Sequence, residues 1–248
     1  MFSSQQRRQL RQTLLEQAAD DPRISGAAIT GSAAEDREDA WSDVDLAFGI
    51  ADSADMTEVV DEWTAAMYRR HAALHHVDVR AGEWLYRVFL LPDTLQVDLA
   101  FVPAREFRAL SPTFKLVTGA AQEPGSFPAP SVTDLIGFGW LHALHARTSI
   151  ARGKLWQAEY MVSGTRHHAL ALACKRHGLS AHHARGIDQL PLDVTDRFEG
   201  TLVTRLDEAE LTRAFHVTLD CLIAEINATG TPVADSLQRC LSLLKSKP

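Results

Sequence analysis

Apolar and polar positions alternate along this chain with two distinct periods. In residues 4–19, Leu10, Leu14, Leu15 and Ala18 recur at helical spacing, and Asp21-Pro22 ends the segment. Arg23 to Thr30 is a short apolar run that reads as a buried strand, and Gly31-Ser32 breaks it. After a polar loop, Ala33 to Ser42, the period becomes two. Val44, Leu46, Phe48 and Ile50 fall on one side of a strand; Asp43, Asp45, Ala47 and Gly49 fall on the other. Residues 56–72 read as a helix, and 75–80, 84–91 and 95–102 as three more strands, the last two joined at Pro92-Asp93. The last strand also alternates, with Val97, Leu99 and Phe101 opposite Gln96, Asp98 and Ala100. Residues 119–131 are rich in Gly, Pro, Ser and Ala and read as a linker. Beyond them the pattern predicts helices over 132–152, 154–177, 207–227 and 233–245, and no strand. The expected fold is α+β: a domain over residues 1–125 with a mixed five-stranded sheet and helices, then an all-α helical domain over 126–248.

At 248 residues with 46% hydrophobic content, the chain can bury a sizeable core. No apolar run approaches the roughly 20 residues that span a bilayer. The start, Met1 to Arg8, carries no apolar leader-like segment, so the expectation is a cytoplasmic protein without a membrane partner. Cys174, Cys221 and Cys240 are far apart and read as buried free thiols. The net charge of −7 argues against nucleic acid as a partner, since such proteins usually present a basic face. The charge is uneven: residues 1–129 hold 12 basic and 20 acidic side chains, against 13 and 12 in the remainder. An acidic half suits a metal site or a cationic substrate, although solvated acidic surface explains most such imbalances.

The alternation over 43–50 gives those acids a chemical meaning. Residues i and i+2 share a strand face, so Asp43 and Asp45 project together while Val44 and Leu46 anchor the other side. Adjacent carboxylates repel unless a cation lies between them, and Mg²⁺ characteristically takes one or two carboxylates plus substrate phosphates. Gly31 lets a backbone approach a ligand closely, and exposed amides with the Ser32 hydroxyl could hold phosphate oxygens. Asp98 is a third acid on another strand of the same sheet. A phosphate cradle, paired acids and a third acid suit in-line attack at phosphorus, with two metal ions roughly 3.5–4 Å apart.

Thr30-Gly31-Ser32, a ten-residue spacer, then Asp43-Val44-Asp45-Leu46 resembles the signature of the DNA polymerase β-type nucleotidyltransferase superfamily. Ser42 before the first acid is typical of it, and Asp98 in Val97-Asp98-Leu99 matches its third acid. The motif match covers residues 24–102. The helical half looks most like the antibiotic nucleotidyltransferases acting on aminoglycosides and lincosamides, a weaker likeness resting on Arg152 to Arg166. The resemblance implies an N-terminal nucleotidyltransferase domain and a helical domain that closes over it. It also implies Mg²⁺, two ions, and ATP or another nucleoside triphosphate as substrate. A nucleoside monophosphate, AMP in the first instance, would pass to a hydroxyl of a small-molecule acceptor such as an aminoglycoside-like antibiotic, releasing pyrophosphate. The rival readings are transfer to a protein or RNA, and a non-catalytic nucleotide-binding module.

On this reading Asp43, Asp45 and Asp98 are the metal ligands, and Gly31, Ser32, Lys154 and Arg166 the nucleotide contacts. Glu159, Ser163 and Arg166 lie at i, i+4 and i+7 on one helix face; Glu159 competes with Asp98 for the role of base. In the streptomycin and lincosamide branch the third sheet acid is the base, and in the kanamycin branch a glutamate of the helical domain. A surface ion pair or an anchor between domains is the bland account of that face. The Glu35, Asp36, Glu38 and Asp39 loop reads as a solvated mobile segment rather than a steering device. None of the eleven histidines has the flanking pattern of a zinc site, and they read as ordinary, partly exposed residues. Trp140 and Trp156 read as core or interface aromatics.

Overall fold

A computed structural model describes residues 3–126 and 128–246. Residues 1–127 and 128–248 form two compact units. Phe127, within the predicted linker, and Met1 and Phe2 of the predicted leaderless start lie outside the described residues.

In the first unit, α1 (Ser4–Asp20) begins at a capping box: the Ser3 hydroxyl accepts from Gln6 N, and the Gln6 side chain accepts from Ser3 N. It ends at Asp21, whose carboxylate takes hydrogen bonds from Arg23 and from Trp63 Nε1. There follow β1 (Ile24–Thr30), a 3-10 turn (Gly31–Glu35), β2 (Val44–Ile50), α2 (Met56–His71), β3 (His75–Ala81), β4 (Trp84–Leu90), β5 (Gln96–Pro103) and β6 (Phe114–Gly119). Asp55 caps α2 by accepting from the Thr57 and Glu58 amides. The strands form one mixed sheet in the order β3-β4-β5-β2-β1-β6. β2 and β5 run parallel; their neighbours are antiparallel.

The sheet therefore has six strands, not the expected five. The missed strand, β6, pairs with β1 through a register shift. It is an edge strand, mostly exposed on both faces, so little apolar alternation marks it in the sequence. One face of the sheet is buried with α1 and α2 over Val44, Leu46, Phe48, Val97, Leu99 and Phe101. The Phe48 ring packs on Trp63 at 4.7 Å and on Phe101 at 5.6 Å between centroids. Burying each such side chain stabilises by roughly 1.5–3 kcal/mol, enough to hold β2 and β5 in one register.

The second unit contains α3 (Val132–Ala151), α4 (Leu155–Arg176), α5 (Leu192–Glu199), α6 (Glu208–Ala228) and α7 (Ala234–Ser242), and no strand among its described residues. Residues of α3, α4 and α6, with Val194 and Phe198 of α5, share one apolar core. Eight-residue α5 was not expected, because it is shorter than the window in which a helical period registers. The last helix ends at Ser242 and passes into a 3-10 turn, Leu243–Lys245. Glu225 is buried, and Arg176 and Arg197 both donate to it. Two expectations are corrected here. Cys174 and Cys221 are buried, but Cys240 is exposed, on a short amphipathic helix that turns Ala234, Leu237 and Leu241 inward. Trp140 packs partly buried against the core, whereas Trp156 is 78% exposed, because it lies in the first turn of α4 ahead of the buried positions Ala158 and Val162. No helix among the described residues is long and apolar enough to cross a membrane.

Candidate active site

The parallel register of β2 and β5 sets Asp45 directly beside Asp98, with Val44 beside Val97 and Leu46 beside Leu99. The apolar partners face the helices, so both carboxylates emerge on the other face of the sheet. Asp43, two residues earlier, joins them. One ligand oxygen from each of Asp43, Asp45 and Asp98 can be chosen so that all lie within 4.8 Å of one another. All three residues are half-buried. This donor set of hard oxygens, already converged, fits a Mg²⁺-type cation.

The turn after β1 is built around that cluster. Gly31 sits at φ +65°, the left-handed region where a side chain is strained. A Cβ there would overlap the Asp45 carboxylate, lying 2.8 Å from its Cγ. The glycine is thus explained by close approach of backbone to acid. Next to it, the Ser32 hydroxyl donates to Ser42 Oγ at 3.2 Å, and Ser42 in turn donates to Asp39 Oδ1 at 3.1 Å. The Asp39 carboxylate also accepts from the Trp41 amide, which with the Ser42 hydroxyl holds it below the usual range. Ser32 is therefore tied to the residue just before the first acid.

The acidic loop is more tightly held than the sequence suggested. Arg7 of α1 donates to the carbonyls of Asp39 and Ala40. Arg11 forms a two-pronged pair with Glu38, 2.6 and 3.0 Å, both side chains largely buried. That pair holds the Glu38 carboxyl below its ordinary value. Two arginines one helical turn apart on α1 thus clamp a loop that local polarity alone marks as mobile.

Gln96 is a site residue that the sequence reading placed on the right face but gave no role. Its amide donates to Asp98 Oδ1 at 2.9 Å and to Asp43 Oδ2 at 3.4 Å, bridging two like charges. The signal was its i, i+2 relation to Asp98. Burial pushes the Asp98 carboxyl up to about 6; the Asp43 charge acts in the same direction and the Gln96 hydrogen bond opposes it.

A stability prediction follows from that shift. Below pH about 4 Asp98 is protonated both folded and unfolded, and contributes nothing. As pH rises to 6 the unfolded chain releases the proton before the folded one does, so the native state is penalised, fully so above pH 6. The penalty is about 2 kcal/mol after discounting for partial exposure. In EDTA at pH 7.5, Asp98→Asn raises the Tm by about 5 °C, and the gain shrinks to nothing at pH 4. An equal gain at both pH values in thermal melts would contradict the assignment.

In the second unit, Glu159, Ser163 and Arg166 do share one face of α4. Ser163 Oγ donates to Glu159 Oε1 at 2.6 Å, and Arg166 donates to Ser163 Oγ at 2.8 Å and to the Thr201 carbonyl at 3.0 Å. Burial lowers the Arg166 pKa. Lys154 is exposed at the N-cap of α4.

No protein-family model matches the chain, and no curated protein sequence does. Among solved structures, an aminoglycoside 6-adenyltransferase from Bacillus subtilis is similar over 100% of both chains, with TM-score 0.42 and 13% identity. A nucleotidyltransferase-like protein from Exiguobacterium sibiricum 255-15 is similar over 90% of this chain and 77% of its own, with TM-score 0.40 and 16% identity. The polymerase core of TRAMP, an RNA surveillance complex, is similar over 100% of this chain and 85% of its own, with TM-score 0.32 and 11% identity. At these identities the likeness is one of chain path.

Proposed function

We propose that this protein transfers a nucleoside monophosphate, AMP from ATP in the first instance, to a hydroxyl of a small-molecule acceptor and releases pyrophosphate. One observation supports the reading most strongly: three carboxylates converge on one sheet face, against a glycine turn that leaves room for no side chain. A divalent cation such as Mg²⁺, as one ion or two, held by Asp43, Asp45 and Asp98, would offset the charge of a nucleoside triphosphate. The Ser32 hydroxyl and amides of the Gly31–Glu35 turn are the phosphate donors in this scheme.

Asp98 is the proposed base. It stands beside Asp45 in the parallel register, on the face where the three acids converge, within reach of a hydroxyl brought to that site. Glu159 is the rival, but it already accepts a short hydrogen bond from Ser163. Asp98→Asn lowers kcat by on the order of 10²–10⁴-fold, whereas Glu159→Gln leaves it within about threefold. Steady-state pyrophosphate release measures both, and the reverse pattern would transfer the role to Glu159.

A triphosphate needs positive charge around it, so Lys154 and Arg166 are proposed as its cationic contacts. Lys154→Ala and Arg166→Ala each weaken ATP binding by about 1–3 kcal/mol in calorimetry; unchanged affinity in both removes them from the site. The reading as a whole is tested by melting the protein with ATP and Mg²⁺ separately and together. A nucleotidyltransferase is stabilised most by the pair, and pyrophosphate then appears with one acceptor of a panel. Absence of joint stabilisation refutes it.

A further inference from the structure

Beyond Asp98 the acid-bearing face of the sheet continues over β4 and β3, where Val77, Val79, Val88 and Leu90 lie between His75, paired with Leu90, and Tyr86, which packs against the buried cluster of Trp84, Ala100 and Phe107. Cross-strand pairing sets Val88 opposite Asp98 and Val77 opposite Val88; in the next row Tyr86 pairs with Ala100 and Val79 with Tyr86. Val77 is 55% exposed, Val79 52% and Leu90 45%. An antiparallel sheet covered on one face normally turns polar residues to the open one. β3 does the opposite. His76, Asp78 and Arg80 alternate onto the helix-covered side, where Asp78 pairs with Arg87 and His76 meets Tyr68 of α2. Val77 and Val79 take the open side. A strand patterned this way carries its apolar face for something that covers it.

Location indicates what that is. The phosphate-holding turn follows β1, on one side of the acids, whereas β4 and β3 lie on the other side. Displacement at phosphorus places the attacking and leaving oxygens on opposite sides. With pyrophosphate toward Gly31-Ser32, the acceptor hydroxyl reaches Asp98 from the β4 side, and the rest of the acceptor lies over these rows. We infer that Val77, Val79, Tyr86, Val88 and Leu90 form the acceptor subsite, and that the acceptor is an uncharged or weakly charged hydroxyl compound with a flat apolar ring or chain beside the reacting group. This rests on the nucleotidyl-transfer reading. It also narrows it: a polycationic aminoglycoside needs carboxylates along its length, and none of the five residues is acidic.

Aryl glycosides and kanamycin serve as opposed probes. Calorimetry on the full chain with Mg²⁺ and α,β-methylene-ATP, which blocks transfer, measures binding of 4-nitrophenyl β-D-glucopyranoside, octyl β-D-glucopyranoside and kanamycin. The paired substitution Val77→Thr, Val79→Thr retains β-branching at two exposed positions, so the strand is maintained. The expected result is binding of at least one of the apolar glycosides, weakened about tenfold or more in the variant, with affinity for the nucleotide analogue unchanged. Binding of kanamycin alone, binding of neither class, or glycoside binding indifferent to the substitutions overturns the inference and leaves the nucleotidyl-transfer reading standing. A wild-type dimer that the substitutions dissociate, seen by sedimentation, also overturns it by showing a second copy on this face. Failure of the nucleotide analogue itself to bind overturns that reading and the inference together.

Discussion

Asp45→Asn lowers nucleotidyl transfer by on the order of a thousandfold or more, and leaves the melting temperature in EDTA unchanged or higher. The reasoning turns on what the substitution keeps. Asn has the shape of Asp, so the packing against Gly31 and the β2–β5 register persist, with Val44 and Leu46 still buried on the opposite face. The charge removed lies beside Asp98 and near Asp43. Without a cation these charges repel, and removing one relieves that repulsion. With substrate, the loss falls on one of the three proposed cation ligands. Asp43→Asn behaves the same way. Two measurements on each variant suffice: pyrophosphate release, and a melt with and without Mg²⁺. Retention of more than about a tenth of wild-type turnover in either protein would remove it from the list of ligands; a large fall in the EDTA melt would instead make its role structural.

What could be read from the sequence, and what could not, divides along the range of the interactions. Strands β1 to β5 and the paired acids of β2 were legible because a half-buried strand writes its period locally, as in Val44-Asp45-Leu46. The placement of Asp98 on the same face was legible for the same reason. Its position beside Asp45 was not, because that depends on the parallel pairing of two strands about fifty residues apart in the chain, with α2 and a hairpin between them. The clamp on the acidic loop was hidden similarly: Arg7 and Arg11 are ordinary helix-surface residues until the fold brings 38–40 to them. β6 and α5 were missed for local reasons, one too exposed and one too short to display a period. The inverted polarity of β3 was visible in His75-His76-Val77-Asp78-Val79-Arg80, but only the neighbouring strands reveal which face is open.

Gly31→Ala tests the turn itself, with a single methyl group. At φ +65° an alanine costs on the order of 1–2 kcal/mol in backbone strain, so the Tm falls by a few degrees and the fold survives. The larger effect is on the site. The new Cβ occupies the space of the Asp45 carboxylate, whose own Cβ stands 3.3 Å from that position. Asp45 cannot retreat by moving its backbone, because Val44 and Leu46 on either side are fully packed beneath the sheet. Its side chain must rotate away from Asp43 and Asp98, or the turn must lift and carry Ser32 with it. Either change separates Ser32 and the turn amides, the proposed phosphate donors, from the acids, and misplacement of about 1 Å costs on the order of 10²-fold in rate. The expected variant is therefore folded, melts slightly below wild type in EDTA, loses most of the extra stabilisation given by ATP with Mg²⁺, and turns over at least a hundredfold more slowly. Gly31→Ser should be no better, because the obstruction begins at Cβ. A Gly31→Ala protein that melts lower but keeps wild-type kcat would show that the glycine serves the fold alone, and that the nucleotide lies elsewhere.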